Sequence, residues 1–410
     1  MALQPPLEVD ERQHLRHAEG RSLPLPEPLV LRAAQRLQTA MSSFSGAGGL
    51  QIGLSNGDAR QVVSRPGYAT AEATVELSAR SYLRLEQGLI EPRTALVFGE
   101  VKIGGAVSLA TRFLDHVAGR VSTGAPAATN LPRPTRDIAQ CHSDLREYGY
   151  CILLDALAPD QVERLRARLV EQADAERRLG LATMEGGIGN PNQRVWNLIN
   201  KGEEFIELLD NDAIDEFALP ILGDHFLIST FQANITGPGC DAQILHYDQM
   251  SVQPNIIGMT MGLNFGWYLD DVTERNGATR LVPCSNRDGV ALDDPFDLAP
   301  TVPAEAPAGS VLIWDSRVWH GAGANVATAK RHVILLYVIR YFLRTQENFG
   351  LSLRPDLRDR LSDRVLTMLG YRCTVGLGGV EGPVEQSMVR MPKTHVGILG
   401  TQVPSTPVVA

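Results

Sequence analysis

Ile244-Leu245-His246-Tyr247-Asp248 carries a histidine and a carboxylate two positions apart. On a β-strand, His246 and Asp248 would project from the same face, while Tyr247 between them would point away. A second histidine, His320, lies far downstream. Two imidazoles and one carboxylate, with the remaining positions open, form a ligand set that suits non-haem Fe(II). The pattern therefore predicts a metal centre built from His246, Asp248 and His320.

Arg331 follows the distal histidine by eleven residues and opens an apolar run. Its guanidinium is a permanently charged planar fork, which can pair with a carboxylate through two hydrogen bonds. On a strand it would share a face with Val333 and Leu335, so the charge needs a partner, and a bound dicarboxylate would provide one. The alternative is a solvent-exposed arginine at a strand edge.

Short apolar segments separated by turn residues surround these side chains. Strands are predicted at residues 226–235, 244–248, 260–269, 278–282, 311–314 and 331–341. Many short strands favour a double-sheet jelly roll over a βαβ sheet. The motif recurs at His142-Ser143-Asp144, but in a helical context residues two apart diverge, so this copy is interpreted as helix surface.

Composition limits the classes of function. The 410 residues suit two domains, and 44% hydrophobic with 21% charged residues is typical of a globular protein. A net charge of -9 argues against nucleic acid as a partner. Five scattered cysteines without a CxxC pair indicate a reducing compartment, and we expect a cytoplasmic location. The most apolar run is too short for a transmembrane segment.

The chain is predicted to divide at a stretch rich in Pro, Gly, Thr and Ala. Residues 119–134 form this linker, and residues 1–26 before the first domain are expected to be poorly ordered. The first domain then spans residues 27–118 and the second residues 135–350. Residues 351–410 are expected to hold one helix, at 356–369, and a Gly- and Pro-rich tail.

The first domain is predicted to be α+β. A helix should begin at Pro28, and Asn56-Gly57 is a strong hairpin signal. Strict alternation over residues 70–77 predicts a half-buried strand, which Ser78 should follow as a helix cap. A further strand at 97–103 and an apolar helical face from Val107 to Leu114 complete the expected elements.

Residues 73–88, together with Pro92, residues 98–103 and Gly105, resemble the C-terminal half of a sterol carrier protein-2 (SCP2) domain. The resemblance is good over roughly residues 68–115 and rests on element order alone before that. It implies an apolar cavity for lipid-like molecules. The alternative is a domain that keeps the fold but serves only in docking or dimerisation; the oligomeric state stays open, with a homodimer through this domain among the arrangements.

The second domain resembles the phytanoyl-CoA dioxygenase family of Fe(II)/2-oxoglutarate oxygenases over about residues 138–345. The matching pieces are Gly149-Tyr150, residues 245–248, 267–277, 281–285 and 309–325, and Arg331. The resemblance implies a mainly β double-stranded β-helix, that is, a cupin-like jelly roll with flanking helices. Two departures are visible, because Cys284-Ser285-Asn286 replaces the commoner Gly-Ser-His, and Ala322 replaces a residue that often carries a hydroxyl.

The same resemblance implies roles for individual residues. His246, Asp248 and His320 would bind iron and act as the catalytic centre, and Arg331 would pair with the distal carboxylate of 2-oxoglutarate. The remaining expectations concern the pocket: Trp267 would line the co-substrate site, Gln232 and Asn234 would contact the co-substrate, and Asn197 would contact the substrate. Fe(II), 2-oxoglutarate and dioxygen are the implied cofactor and co-substrates, with no haem and no nucleotide.

The expected reaction is hydroxylation, or a related C–H oxidation, of an apolar small molecule. A terpenoid, a polyketide or an acyl derivative of secondary metabolism is the expected substrate class. Two alternatives stay open: a non-catalytic lipid carrier with a degenerate jelly roll, and a metal-dependent cupin isomerase. The isomerase would share the histidine ligands but would have no need of Arg331.

Overall fold

The computed structural model describes residues 24–119, 130–185, 191–252, 256, 258–287, 290 and 292–379. The expectations for most of residues 1–26, for most of the linker and for the tail after residue 379 therefore lie outside the described residues. Among the described helices, none combines the length and the apolar character that crossing a bilayer requires.

The N-terminal module, which we define as residues 24–119, contains four helices and four strands. Its elements in chain order are α1 (Glu27–Ser43), β1 (Leu50–Asn56), β2 (Ala59–Ser64), β3 (Ala73–Ser78), α2 (Ala79–Glu86), α3 (Pro92–Val97), β4 (Val101–Gly105) and α4 (Val107–Val117). The strands form one mixed sheet in the order β2-β1-β3-β4, in which β1 and β3 are parallel. The predicted α+β character is thus present.

Local signals located several of these elements. Asn56 pairs with Ala59 across the predicted hairpin, with Gly57 in the left-handed conformation that such a turn requires. Ser78 caps α2 by accepting a hydrogen bond from the Ser81 amide. The strand predicted at 97–103 is wrong in its first part, because Pro92 opens a helix that continues to Val97.

The remainder of the described chain is mainly β, with helices before and after the strands. Its helices are α5 (Ile138–Tyr148), α6 (Pro159–Arg178), α7 (Glu203–Leu208), α8 (Asp212–Leu222), α9 (Phe349–Ser352), α10 (Pro355–Arg358) and α11 (Asp363–Met368). Its strands are β5 (Tyr150–Leu153), β6 (Thr183–Met184), β7 (Asn192–Val195), β8 (Leu227–Thr236), β9 (Gly262–Tyr268), β10 (Thr279–Leu281), β11 (Val302–Pro303), β12 (Val311–Asp315), β13 (His320–Ala322) and β14 (Arg331–Ile339). The single helix predicted at 356–369 is instead the pair α10 and α11.

Two sheets form the expected jelly roll. Seven strands are ordered β5-β12-β9-β14-β8-β7-β6, and three are ordered β11-β10-β13. The inner faces meet in one apolar cluster that joins Tyr268 and Val333 of the large sheet to Leu281 of the small one. The outer face of the large sheet packs against the helices, with Phe231 and Leu336 beside Leu165 of α6. Successive residues of β14 therefore alternate between the sheet interior and the helix layer.

The N-terminal module has an apolar cluster of its own. Leu37 of α1, Val75 of β3 and Phe113 of α4 belong to it, and all of its members lie between residues 25 and 117. The clusters of the jelly roll draw on residues after 140, with one partly buried side chain of the module, Val97, packing against them. Each part of the chain thus has its own core.

Candidate metal centre

A short antiparallel bridge brings the two histidines together. The amide of His246 donates to the carbonyl of His320 at 2.9 Å, and the amide of His320 donates back at 2.7 Å. Directly opposite residues of such a pair project their side chains to the same side. The two imidazole rings accordingly lie with their centroids 4.5 Å apart.

Backbone carbonyls orient both imidazoles in the same way. Nδ1 of His246 lies 3.0 Å from the Ile244 carbonyl oxygen, and Nδ1 of His320 lies 2.9 Å from the Val318 carbonyl oxygen. A carbonyl can only accept, so each Nδ1 carries the proton and each Nε2 keeps a free lone pair. This is the tautomer with which a histidine binds a metal through Nε2 while its other nitrogen is held in place.

Asp248 completes the set, although not from a strand as predicted. It begins a short 3-10 helix, Asp248–Ser251, that follows directly on the bridge. Its carboxylate oxygens lie 3.9 Å from Nε2 of His246 and 3.6 Å from Nε2 of His320. These distances exceed a hydrogen bond, so the three donors surround a common space. Asn264 of β9 holds the carboxylate by donating to Oδ2 at 2.7 Å.

The donor set fits a ferrous ion. Among the described residues, His246, Asp248 and His320 are the group of three that could hold a metal, with ligand atoms within 4.8 Å of one another. Burial is the main cause that lowers the pKa of His320 to about 4, with Asp248 opposing the change and His246 adding to it. His320 is therefore neutral at neutral pH, which is the form in which a histidine binds a metal.

Arg331 lies at the start of β14 on the face that points between the sheets. Its side chain is buried, and Nη1 donates to the Gly277 carbonyl at 2.6 Å while Nη2 donates to Thr236 Oγ1 at 2.8 Å. Burial lowers its pKa to about 10, so it stays charged at neutral pH. Nε has no hydrogen-bond partner, and no carboxylate in the described part of the chain forms an ion pair with this guanidinium. A buried charge of this kind calls for an anion.

Two amide side chains of β8 share this inner face. Thr236 lies opposite Arg331 in the ladder, and alternation places Asn234 and Gln232 on the same side of the strand. Asn234 Oδ1 and Gln232 Oε1 are buried without hydrogen-bond partners. Unpaired buried acceptors are uncommon in folded proteins, so both atoms are available to a bound molecule.

Trp267 and Asn197 were the remaining predicted pocket residues. Trp267 of β9 is fully buried in the cluster beneath the helices, stacked on Phe265, whereas Asn264 on the opposite face of the strand contacts Asp248. The structure therefore corrects the expectation that Trp267 lines the co-substrate site. Asn197 stands in a left-handed conformation directly before the 3-10 turn Leu198–Asn200, and its Oδ1 accepts from Asn200 at 2.9 Å. Its contact with the substrate stays a prediction.

A second arginine, absent from the predicted site, lies within electrostatic reach of it. Arg194 of β7 is paired in register with Asn234 and lowers the pKa values of both His320 and Arg331. Its Nε donates to Glu185 at 2.8 Å. Burial alone would raise the pKa of Glu185, but the pairing with Arg194 lowers it below its usual value. Residues 192–194 are Asn-Gln-Arg and therefore polar throughout, so alternation gave no signal for β7 and no strand was predicted there.

Known proteins of similar sequence are dioxygenases. The family model described as phytanoyl-CoA dioxygenase (PhyH) matches residues 145–333. The dioxygenase af480 of Aspergillus fumigatus is 32% identical over 259 residues, which cover 60% of this chain and 83% of that protein. The dioxygenase sphC of the same species is 30% identical over 267 residues, which cover 60% of this chain and 72% of that protein. Among solved structures, AviO1 from Streptomyces viridochromogenes is 24% identical, with a TM-score of 0.43 over 50% of this chain and 96% of AviO1.

Proposed function

The chain belongs to the phytanoyl-CoA dioxygenase family and is a non-haem Fe(II)/2-oxoglutarate-dependent dioxygenase, and from that premise we propose that His246, Asp248 and His320 hold its iron. Each histidine presents Nε2, because its Nδ1 is bound to a carbonyl. The Asp248 carboxylate offers one oxygen to the metal while Asn264 holds the other. When bound, iron with 2-oxoglutarate activates dioxygen for oxidation of a substrate C–H bond.

Arg331 pairs with the distal carboxylate of 2-oxoglutarate in this proposal. The single observation that carries it is a buried, charged guanidinium on the inner sheet face whose Nε is unpaired. The sheet pairing supports its placement, because Arg331 donates to Gly277, two residues before β10, and β10 pairs through Leu281 with His320. The anion bound by Arg331 and the metal held by His320 would thus share one pocket. A dicarboxylate with a keto group is a molecule that both can bind.

Gln232 and Asn234 serve the same pocket as neutral groups. Their amides lie on the inner face of β8, each with a buried oxygen that lacks a donor. Amide nitrogens can donate to a carboxylate, and amide oxygens can accept from a hydroxyl of the substrate. We propose that both residues orient the bound molecules and that neither takes part in proton transfer.

The substrate is an apolar small molecule, a terpenoid, polyketide or acyl compound of secondary metabolism. The inner cluster supports this proposal, because Val333 and Leu312 provide apolar walls beside the polar groups. The N-terminal module is an SCP2-like domain, supported by its sequence resemblance and its order of helices and strands. We retain the division of the chain at residues 119–134, which the separate apolar clusters support.

The enzyme acts in the cytoplasm, a proposal supported by five cysteines that are all free, four of them buried. A homodimer through the N-terminal module is the oligomeric arrangement to test, by light scattering coupled to size-exclusion chromatography.

Turnover of 2-oxoglutarate tests the central assignment. Protein reconstituted with Fe(II), 2-oxoglutarate and air should form succinate, and Asp248→Ala should abolish it. His142→Ala is a matched control, because this histidine stands in the second His-x-Asp motif and binds Glu216 on a helix surface. An Asp248→Ala protein as active as wild type would remove the triad from the reaction, and activity independent of 2-oxoglutarate would favour the isomerase.

A further inference from the structure

The neighbours of the metal ligands form an apolar cluster on the other side of the bridge. Tyr247 lies between two ligands and Trp319 precedes the third, so alternation turns both side chains away from the metal. Their rings meet at 4.9 Å between centroids. We call this set the rear cluster; its buried members are Leu245, Tyr247, Met250, Val282, Leu292 and Trp319.

The N-terminal module covers the rear cluster. Val97, the last residue of α3, packs against it. Glu91, which directly precedes α3, accepts a hydrogen bond from the Tyr247 hydroxyl. Thr94 Oγ1 donates to the Met250 carbonyl at 3.4 Å. The module therefore contacts the segment that carries His246 and Asp248.

A second set of polar contacts fixes the same side of the module. Arg93 forms an ion pair with Asp115 inside the module and donates through Nε to the Leu292 carbonyl at 3.1 Å. Thr111 of α4 donates to the carbonyl of Asp293. Arg93, Asp115 and Thr111 are all buried. Opening the contact would exchange these hydrogen bonds for bonds to water and would also expose the apolar surface at Val97, so apolar burial together with the matched polar contacts favours the closed arrangement.

We propose that Glu91 is a positioning residue for the metal centre and acts through Tyr247. The carboxylate fixes the phenol, and Tyr247 is one peptide away from His246 on one side and from Asp248 on the other. A displaced Tyr247 would therefore move both ligands relative to His320. Groups that hold metal ligands in place contribute about 10- to 100-fold to metal affinity, and a contact one residue removed is expected at the lower end.

Metal affinity measured without turnover tests this role. Full-length apoprotein is titrated anaerobically with Co(II), and the visible absorption of the bound ion gives both the affinity and the coordination. Glu91→Leu and Tyr247→Phe should each weaken binding by about 10-fold. Glu91→Gln, which keeps an oxygen to accept the phenol proton, should stay within about 3-fold of wild type.

The matched control is Glu100→Gln. Glu100 is a carboxylate of the same module that binds Arg84 at 2.6 Å and Ser81 at 3.0 Å, away from the rear cluster. Its substitution should leave Co(II) affinity unchanged, whatever its effect on the melting temperature. Wild-type affinity in Glu91→Leu would overturn the proposal.

A double variant decides whether the two residues act together. If Glu91 acts through Tyr247, Glu91→Leu/Tyr247→Phe should bind Co(II) no more weakly than either single variant. If the losses of Co(II) affinity in the two single variants multiply in the double variant, the proposal is overturned. Should Glu91→Leu fail to fold, Tyr247→Phe alone decides, because its ring still packs on Trp319 and wild-type affinity would refute the role.

The inference deepens the proposed function, since it rests on His246 and Asp248 being ligands. The two can fail separately. A wild-type protein that binds Co(II) but forms no succinate would contradict the 2-oxoglutarate assignment alone and leave the positioning role standing. A wild-type protein that binds no metal would overturn both.

Discussion

Replacing the buried arginine of the pocket should separate co-substrate binding from folding. In Arg331→Met the fork of donors disappears while a side chain of similar length remains. The Gly277 carbonyl and the Thr236 hydroxyl each lose a donor, at about 1–3 kcal/mol each. Replacing buried charged groups by apolar side chains of similar volume is often favourable, by up to about 1–4 kcal/mol for ion pairs. The lost hydrogen bonds outweigh this gain at mid-range, so the free energy of unfolding of the apoprotein should fall by about 2 kcal/mol.

The complex with 2-oxoglutarate should respond far more strongly. Loss of one partner of a buried charge pair costs about 3–5 kcal/mol, because the other charge stays buried without compensation. At about 1.4 kcal/mol per tenfold, this weakens 2-oxoglutarate binding by about 100- to 4000-fold. Anaerobic calorimetric titration of the Fe(II) protein with 2-oxoglutarate measures it, and urea unfolding of the apoprotein measures stability.

Arg340→Met is the matched control for this experiment. Arg340 lies just past the other end of β14 and likewise donates to backbone carbonyls, those of Thr260 at 2.8 Å and Ile221 at 2.7 Å. Its loss should affect stability and leave the dissociation constant of 2-oxoglutarate unchanged. If Arg331→Met binds 2-oxoglutarate as tightly as wild type, the assignment of this guanidinium to the distal carboxylate is refuted.

Three further substitutions test a contact within the metal centre and two contacts outside it. Asn264→Ala removes the donor to Asp248, so iron retained after desalting should fall, with affinity lower by about 10- to 100-fold. Asp270 accepts a hydrogen bond from His332. Burial alone would raise the pKa of Asp270, but the contact with His332 lowers it below its usual value. The contact therefore stabilises the fold above about pH 3.8, and this stabilisation is lost as the pH falls through the lowered pKa. The stability difference between wild type and Asp270→Asn in urea should therefore shrink on acidification; a constant difference would contradict the cause given. Trp267→Ala should cost about 3–5 kcal/mol of stability, with unchanged 2-oxoglutarate affinity in the folded fraction.

The strongest sequence signals were local or chemically specific. Asn56-Gly57 predicted its hairpin, because the turn chemistry is complete within a few residues. His246, Asp248 and His320 could be selected because few residue types bind iron, and the structure brings them together. Arg331 was conspicuous as a charge in an otherwise apolar strand, and its burial follows the predicted alternation.

One residue was misassigned against the sequence pattern, and another lies outside the reach of a strand pattern. In β9 the large apolar side chains of Leu263, Phe265 and Trp267 alternate with Gly or Asn and pack beneath the helices. Trp267 was placed in the co-substrate site by resemblance alone, although this alternation puts it on the face opposite Asn264. Asp248 reaches the metal site from a 3-10 helix, which a period of two residues cannot predict.

Contacts between distant segments were beyond reach for a different reason. Glu91 and Tyr247 are 156 positions apart in the chain, and each looks ordinary in its own segment. The same holds for Arg194, which acquires its role only when β7 pairs with β8. A single sequence indicates which side chains can do chemistry, but the pairing of segments decides which of them meet.

The contacts between the N-terminal module and the jelly roll also bear on what the module does for the oxygenase. A domain that delivers substrate must undock, and contacts between domains allow this when they are small and polar. Here undocking would expose the apolar surface at Val97 to water. It would also break the hydrogen bond from Arg93 to the Leu292 carbonyl, while the ion pair between Arg93 and Asp115 would stay within the module. It would also release Tyr247 between two metal ligands. The arrangement favours a module that completes the catalytic domain, and any lipid-like molecule it binds would have to enter with the module in place.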